Sequence, residues 1–348
     1  MSADASTSDT AASSQGFDAS APGVAPERWD EARVAAYLDA LDGYPSGDEA
    51  AWWSRYSPLV AERLDHHHVV DPLISVVVVA WRSAHLVVEC LDHVRAQRGL
   101  PDGAIEVILV DNGGLEPARD AFPTRVDVEL RMQHNVGLSP ARNLGLLAAR
   151  APVVCFIDDD GLIAADYCLR ALDYFAHDPD LVAARSRITY KHHRYFTTLA
   201  SHYDRGPNPV ADCLVTEGSM AIRRQPYLEV GGFAEKLYGH EGIDLTFRLK
   251  QHNPRARVLY VPDMVMAHDY IHTWQKFWQK NTRYTDINTR VAARSPALEA
   301  FMADYARHQK TFTTSRKTTD ELAAMWALKA VRAALRQGAR LSQRASRS

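Results

Sequence analysis

Residues 74–81 read Ile-Ser-Val-Val-Val-Val-Ala-Trp, a run of mainly β-branched side chains without alternation of polar and apolar positions. Such a run is typical of a strand that is buried on both faces of a parallel sheet. Downstream apolar patterns predict helices at 84–97 and 139–150 and strands at 105–110, 126–132 and 153–157. Strands that alternate with helices predict an α/β fold around a mixed, mostly parallel sheet that is flanked by helices.

The chain extends well beyond this alternation on both sides. The predicted divisions are a disordered tail at 1–27, a helical N-terminal extension at 28–71, the α/β domain at 72–290 and a helical C-terminal appendage at 291–348. Further elements predicted are strands near 181–190, 213–222 and 257–267, and helices near 28–42, 48–64, 243–252, 271–290, 296–309 and 317–345.

Composition excludes several classes of protein. The 40 basic and 43 acidic residues give a net charge of −3, so no global basic field predicts a nucleic-acid partner. The 4 cysteines contain no Cys-x-x-Cys pair and predict neither a disulfide framework nor a zinc knuckle. The longest apolar run is far short of the ~18 residues that span a membrane, and no secretory signal pattern is visible. We therefore expect a soluble, cytoplasmic protein.

Acidic residues follow two of the predicted strands. Asp111 comes after the second strand, and Asp158-Asp159-Asp160 come after the fourth. Ligands of open α/β sheets bind beyond the carboxyl ends of the strands. Carboxylates crowded there repel one another unless a cation lies between them, and such oxygen ligands suit Mg²⁺ or Mn²⁺, which in turn hold a diphosphate. An acidic surface turn is the alternative.

The turn after the first strand excludes the commonest nucleotide-binding folds. Residues 81–85, Trp-Arg-Ser-Ala-His, contain no glycine, whereas a dinucleotide-binding turn is rich in glycine. No Gly-x-x-x-x-Gly-Lys-Ser/Thr loop exists either, which excludes a P-loop. An Asp at the end of the first strand, which a dehalogenase-like phosphatase would need, is absent as well.

Seven segments together carry a resemblance to a known family. In order they are the valine-rich first strand, Val110-Asp111-Asn112, Asn135-Val136-Gly137 with Ala141-Arg142-Asn143-Leu144-Gly145, Phe156-Ile157-Asp158-Asp159-Asp160, Gly231-Gly232-Phe233, Glu241-Gly242-Ile243-Asp244-Leu245 with Arg248, and Val265-Met266-Ala267-His268. The order resembles that of the family 2 glycosyltransferases, over about residues 72–290. This resemblance implies a GT-A fold and transfer of a sugar, by default with inversion, from a nucleoside-diphosphate sugar to an acceptor hydroxyl. It suggests a UDP- or dTDP-linked donor and a role in cell-envelope polysaccharide or glycolipid synthesis.

The resemblance also implies roles for the acidic residues. Asp111 would accept a hydrogen bond from N3–H of uracil or thymine, and Arg142 would lie close to the base or the diphosphate. A helix-surface ion pair is the alternative for Arg142. Asp158 would face the ribose hydroxyls. Asp159 is counted with this nucleotide site, although alternation along an extended segment would turn its side chain away.

Two further residues are implied in a metal site. Asp160 would bind the Mg²⁺ or Mn²⁺ ion that bridges the donor diphosphate. His268, after a short apolar strand, matches a histidine that often completes this site. A purely structural histidine is the alternative there.

The catalytic segment departs from the family pattern. The family carries Glu-Asp before x-Asp-Leu, with the Asp as general base, and here Gly242 stands in its place. The proton of the acceptor would then go to Glu241, to Asp244 or to His240, or the chain is not a standard inverting enzyme. Glu241 is the favoured base, because Asp244 has the spacing of a helical ion pair with Arg248.

The sequence allows two roles for the C-terminal helix and three kinds of acceptor. Basic residues recur every three or four positions at Lys329, Arg332, Arg336, Arg340, Arg344 and Arg347. This pattern fits a helix docked on the domain with a solvated basic face, or peripheral contact with the inner face of an anionic membrane. A glycan, a lipid-linked molecule or a small molecule could be the acceptor. The other functions considered are a non-catalytic GT-A domain that binds a nucleotide sugar or a glycan, and a nucleotidyltransferase, whose Gly-rich loop is absent.

Overall fold

The computed structural model of the chain describes residues 28–41, 44, 48–237, 239–283 and 295–345. The predicted tail at 1–27 and the last part, 284–290, of the helix predicted at 271–290 lie outside the described residues. The strands of the described part are β1 (Val60–Asp65), β2 (Ile74–Ala80), β3 (Ile105–Asp111), β4 (Val128–Met132), β5 (Val153–Asp158), β6 (Leu162–Ile163), β7 (Leu181–Thr189), β8 (Val210–Ala211), β9 (Ser219–Arg223) and β10 (Arg257–Ala267).

Helices surround these strands. Within the described residues they are α1 (Glu31–Ala40), α2 (Glu49–Tyr56), α3 (Ala84–Arg95), α4 (Leu138–Ala148), α5 (Tyr167–His177), α6 (Arg194–Thr197), α7 (Arg224–Glu229), α8 (Glu241–His252), α9 (Trp274–Arg283), α10 (Pro296–His308) and α11 (Thr319–Ala345).

All ten described strands join one sheet in the order β1-β4-β3-β2-β5-β9-β7-β10-β6, with β8 paired to β10. Strands β4, β3, β2 and β5 are mutually parallel. Strand β9 is antiparallel to both β5 and β7, and β10 is parallel to β7, so six strands run in one direction. The predicted α/β fold with a mixed, mostly parallel sheet is confirmed.

Strand β2 lies at the centre of the core. Each of its seven residues is buried, and its side chains alternate between two apolar clusters, one on each face of the sheet. Val76 and Val78 face the cluster that includes residues of α3 and α5. Val77 faces the cluster that includes residues of α2 and α4. Burial on both faces explains why this strand shows no polar alternation.

Two predictions of local structure are wrong. The helix predicted at 48–64 ends at Tyr56, because a 3₁₀ turn that contains Pro58 follows it, and 60–65 form β1, antiparallel to β4. The free edge of β4 supplies hydrogen bonds that no local pattern reveals. The strand predicted at 213–222 begins only at Ser219, so that 213–218 form a loop. Helix α5 was not predicted.

The C-terminal helix α11 packs on α6 and α9. Leu328 is buried there in a cluster with Leu199, Ile271 and Phe277. Trp326, by contrast, is 65% exposed. The described part of α11 is therefore docked on the domain. No helix among the described residues is both long and apolar enough to cross a membrane.

Candidate active site

The predicted acidic residues meet at one edge of the sheet. Strand β2 has β3 on one side and β5 on the other, and its last residues pair with Asp111 and Asp158 respectively. All three strands are parallel, so both carboxylates lie at the carboxyl ends of adjacent strands. This is the position at which open α/β sheets bind ligands.

Asp111 is a buried carboxylate, and only one of its two oxygens accepts a hydrogen bond from the described residues. Its Oδ1 accepts a hydrogen bond of 2.9 Å from the backbone N–H of Gly113. Its Oδ2 has no hydrogen-bond partner among the described residues, and the nearest cation is Arg119 Nη2 at 3.5 Å. Burial raises the pKa of Asp111, and the Gly113 hydrogen bond and Arg119 only partly oppose it. A buried oxygen of this kind is costly unless a ligand donates to it.

Asp158 rests between a guanidinium and a glycine. Arg142 is buried on α4, and its Nη2 donates to Asp158 Oδ1 over 3.1 Å. Its guanidinium carbon lies 5.5 Å from the centre of the Phe233 ring. On the other side, a Cβ added to Gly218 would overlap the Asp158 carboxylate. The positive charge of Arg142 therefore fixes the Asp158 carboxylate, and Gly218 leaves the space that this carboxylate needs.

Asp159 faces a different part of the site. It accepts a hydrogen bond from the Ser83 hydroxyl and another, over 3.3 Å, from the backbone N–H of Trp81. Burial raises its pKa to about 6, and the neighbouring carboxylates of Asp158 and Asp160 add to the effect. Its side chain ties β5 to the loop after β2.

Asp160 and His268 form an ion pair at the end of β10. Asp160 Oδ1 lies 3.2 Å from His268 Nε2, and Tyr203 Oη lies 2.9 Å from the other ring nitrogen. Burial opposes both charges, but the contact outweighs it, so the pKa of Asp160 is lowered and that of His268 is raised. A hydrogen bond on the second ring nitrogen orients the imidazole, as is usual for histidines that bind metals.

A cleft of about 460 Å³ opens beside these carboxylates. Its lining residues are Trp81, Arg82, Ser83, His85, Leu86, Asp159, Asp160, Lys191, His192, His193, Asp269, His272 and Lys276. The Asp269 carboxylate accepts backbone hydrogen bonds from Lys191, His192 and His193, which holds that loop against the cleft. The cleft is thus lined by acidic side chains on one side and by basic side chains on the other. This arrangement suits an anionic ligand that binds through a cation.

Helix α9 adds a further cation. The Lys280 ammonium lies 3.6 Å from the centre of the Tyr270 ring. Burial lowers its pKa to about 8, although the negative charge of Asp158 favours its protonated form. Lys276, one turn earlier, lies 2.8 Å from His272 through its ammonium. Lys276 lines the cleft, whereas Lys280 acts on Asp158 from beside it.

The predicted catalytic residues lie at the start of α8. Glu241 Oε1 accepts a hydrogen bond of 2.7 Å from the backbone N–H of Gly239. Asp244 accepts hydrogen bonds of 3.0 and 2.8 Å from Arg248, and the Tyr44 hydroxyl lies 3.3 Å from each of its oxygens. The i,i+4 ion pair expected for Asp244 is present.

Sequence reasoning missed three residues of this site. Glu217 lies in a loop that was predicted as strand, and Tyr203 and Lys280 carry no motif. Of these three, only Glu217, a carboxylate inside the apolar pattern at 213–222, could have drawn attention. The remaining contacts join segments that are distant in the sequence.

The glycosyl transferase family 2 profile matches residues 75–234. A Mycobacterium tuberculosis protein named pre-mycofactocin glycosyltransferase is 28% identical over 206 residues, which cover 55% of this chain and 43% of that protein. A Streptococcus pneumoniae protein named glycosyltransferase GlyG is 33% identical over 100 residues, which cover 27% of this chain and 32% of that protein. The chain thus spans less than half the length of these curated relatives.

Among solved structures, the mannosyltransferase PcManGT from Pyrobaculum calidifontis, in complex with GDP-Man and Mn²⁺, is similar with a TM-score of 0.52. The match has 18% identity and covers 90% of this chain and 85% of that one. Identity at this level bears on the fold alone. Residues 75–234 thus match glycosyl transferase family 2 in sequence, and the α/β domain that contains them has a GT-A fold.

Proposed function

We propose that the chain is an enzyme that transfers a sugar from a nucleoside-diphosphate sugar to an acceptor hydroxyl. The observation that carries the proposal is the convergence of Asp111, Asp158, Asp160 and His268 at one edge of the sheet, with the cleft beside them. The family match over residues 75–234 and the glycosyltransferase names of the relatives support it.

The nucleotide would bind at the ends of β3 and β5. The buried Oδ2 of Asp111 lacks a hydrogen-bond donor among the described residues, and the N3–H of uracil or thymine would provide one. Asp158, held by Arg142, would accept hydrogen bonds from the ribose hydroxyls. Asp159 would act indirectly, because its carboxylate is engaged by the loop after β2. These roles favour a UDP- or dTDP-linked donor.

Asp160 and His268 fit a divalent cation. They offer one carboxylate oxygen and one imidazole nitrogen, and the described residues contain no cluster of three or more metal-binding side chains. Mg²⁺ and Mn²⁺ are commonly held by one or two protein groups together with substrate phosphates. When bound, such an ion would neutralise the charge that develops on the leaving diphosphate. The Mn²⁺ in the PcManGT structure supports this choice.

The acceptor would approach from the side of α8. Glu241 and Asp244, the predicted catalytic residues, lie at the first turn of that helix. Removal of a proton from the acceptor hydroxyl as it attacks the anomeric carbon would invert the configuration there. We place the reaction in cell-envelope polysaccharide or glycolipid synthesis, with a glycan, a lipid-linked molecule or a small molecule as acceptor.

The metal site is tested with Asp160→Ala. We expect that Mn²⁺ no longer increases the affinity of the purified chain for UDP in calorimetry, because the ion loses an anionic ligand. Asp111→Ala should weaken UDP binding with or without Mn²⁺, by about tenfold for one lost charge-assisted hydrogen bond. Asp166→Ala, which removes an exposed ion pair with Arg170, is the matched control. Unchanged affinity in both site variants would show that the donor site lies elsewhere.

A non-catalytic domain that binds a nucleotide sugar is the second candidate, because Gly242 replaces the carboxylate that the family uses. Incubation of the wild-type chain with UDP-sugars and Mn²⁺ separates the two. Release of UDP, even when water is the only acceptor, supports the enzyme. Tight binding of UDP-sugars without any release supports the binding domain.

A further inference from the structure

The start of α8 leaves no room for a side chain at position 242. A Cβ added to Gly242 would overlap the carbonyl oxygen of Leu214 and would lie 2.6 Å from Oε1 of Glu217. The backbone of Leu214 cannot move away cheaply, because its N–H is bonded to the Thr246 hydroxyl of α8 over 3.0 Å. An aspartate at 242 is therefore incompatible with this packing.

Glu217 occupies the space that a side chain at 242 would enter. Its Oε1 accepts a hydrogen bond of 2.8 Å from the backbone N–H of Gly242, in the first turn of α8. The first N–H groups of a helix have no partner within the helix, and their partial positive charge favours a carboxylate. Position 242, where the family has an aspartate, carries no carboxylate in this chain. Glu217, from another segment, places a carboxylate beside that position.

This carboxylate lies next to the proposed donor site. The next residue, Gly218, is in contact with the Asp158 carboxylate. Burial raises the pKa of Glu217, Glu241 raises it further, and the positive charge of Arg142 opposes both. Arg142 also binds Asp158, so one guanidinium lies close to both carboxylates. A carboxylate of raised pKa beside the reacting sugar is suited to accept a proton.

Asp244 is more firmly engaged than the two glutamates. Asp244 is bound by two nitrogens of Arg248 in an i,i+4 ion pair. Glu241 has one oxygen on the N–H of Gly239. Glu217 accepts through Oε1 from the N–H of Gly242, directly beside the position where the sequence lacks a carboxylate.

We propose that Glu217 is the general base of the transfer reaction and that Glu241 tunes it from the neighbouring position. The inference rests on the proposed function. As the acceptor oxygen bonds to the anomeric carbon, its O–H bond breaks and the proton passes to the second carboxylate oxygen of Glu217. The bond from the anomeric carbon to the diphosphate oxygen breaks at the same time, and its electron pair leaves with the nucleoside diphosphate. Glu217 later returns the proton to water.

The test compares Glu217→Gln, Glu217→Asp, Glu241→Gln and Asp244→Asn with the wild-type chain. Release of nucleoside diphosphate from UDP-, dTDP- and GDP-linked hexoses is measured with Mn²⁺ and water as acceptor, and UDP affinity is measured by calorimetry. Glutamine keeps the oxygen that accepts from Gly242, so Glu217→Gln is expected to fold. Its release rate should fall by about 10² or more with unchanged UDP affinity. Glu229→Gln, a surface variant, is the matched control.

The pH profile separates a base from a structural residue. The wild-type rate should fall as the pH drops through the raised pKa of Glu217, because the protonated carboxyl cannot accept a proton. Glu241→Gln should shift this acidic limb to lower pH, and the residual rate of Glu217→Gln should lack it. Glu217→Asp should recover part of the rate.

The outcomes are distinguishable. If Glu217→Gln is folded and releases the diphosphate within threefold of the wild-type rate, Glu217 is not the base. Loss of activity in Glu241→Gln together with an active Glu217→Gln would assign the base to Glu241 and overturn the inference. If the wild-type chain releases no diphosphate from any donor, the proposed function itself fails, and the base role fails with it.

Discussion

At the scale of single residues, two glycines decide where carboxylates can lie. Gly218 and Gly242 both have ordinary negative φ angles, so neither is required for its backbone conformation. Each is required for space: the Asp158 carboxylate lies against Gly218, and Glu217 lies against Gly242. The absence of a side chain at these two positions therefore allows the two carboxylates to occupy their places in the site.

Gly218→Ala tests this view of the donor site. The added methyl group would overlap the Asp158 carboxylate and displace it, and loss of one charge-assisted hydrogen bond to the ligand should weaken UDP binding by about tenfold or more. Calorimetry with UDP and Mn²⁺ measures the change. Gly103→Ala is the control, since a Cβ there meets nothing within 4 Å but its φ of +77° is strained. That variant should lose some stability and keep its UDP affinity, and an equal loss of affinity in both would contradict the packing argument.

At the scale of elements, the helices α9 and α11 form a layer beside the cleft. Helix α9 carries Lys276 and Lys280 toward the acidic residues, and α11 packs on α9 through Leu328. A deletion of α11 would expose the apolar side of α9 and would disturb the cleft. The membrane contact proposed from the basic pattern is therefore better tested by substitutions on the exposed face.

Trp326→Ser with Lys329→Glu is that test. Trp326 is 65% exposed, and the Lys329 ammonium lies 5.0 Å from the centre of its ring. If this face contacts a membrane, the double variant should bind vesicles of anionic phospholipid at least about tenfold more weakly, because each basic residue near the surface contributes roughly 1 kcal/mol. Co-sedimentation at low and high salt measures the binding. Arg255→Glu, an exposed charge reversal elsewhere, is the control, and equal binding of all forms would argue against the contact.

At the scale of the whole molecule, one buried carboxylate joins the sheet to the C-terminal region. Asp212 accepts hydrogen bonds from Arg185 of β7 and from Arg205, and the Tyr305 hydroxyl of α10 donates to it over 2.6 Å. All four residues are buried. Burial would raise the pKa of Asp212, but Arg185, the hydroxyl of Tyr305 and Arg205 outweigh it, and the pKa is lowered.

Asp212→Asn should therefore destabilise the fold strongly. Removal of one partner leaves buried guanidinium groups uncompensated, which typically costs about 3–5 kcal/mol of the free energy of unfolding. Because the folded pKa lies below the unfolded value, the contribution of Asp212 is present above pH ~4 and is lost as the pH falls through the folded pKa. Urea unfolding at pH 7 and at lower pH measures both effects. Asp304→Asn, which removes an exposed ion pair with Arg307, should change stability by less than about 0.5 kcal/mol. A similar small change in Asp212→Asn would contradict the argument.

The sequence by itself determined the α/β class, the strands β2, β3, β5 and β10, and the acidic residues at the carboxyl ends of β3 and β5. These follow from local rules, because a strand buried on both faces needs a continuous apolar run and a polar residue at its end marks the edge of the sheet. The family resemblance added the order of the motifs, which the comparisons support.

Only the tertiary structure decided which groups meet. It turned 60–65 into a strand, because the open edge of β4 offered hydrogen bonds to any segment that could reach it. It brought Tyr203 to His268, Lys280 close to Asp158, and Glu217 to the first turn of α8. Each of these pairs is separated by many residues in the chain, so their contacts depend on how the segments after β7 pack on the sheet. That packing is a property of the whole fold, and no periodicity within a single segment encodes it.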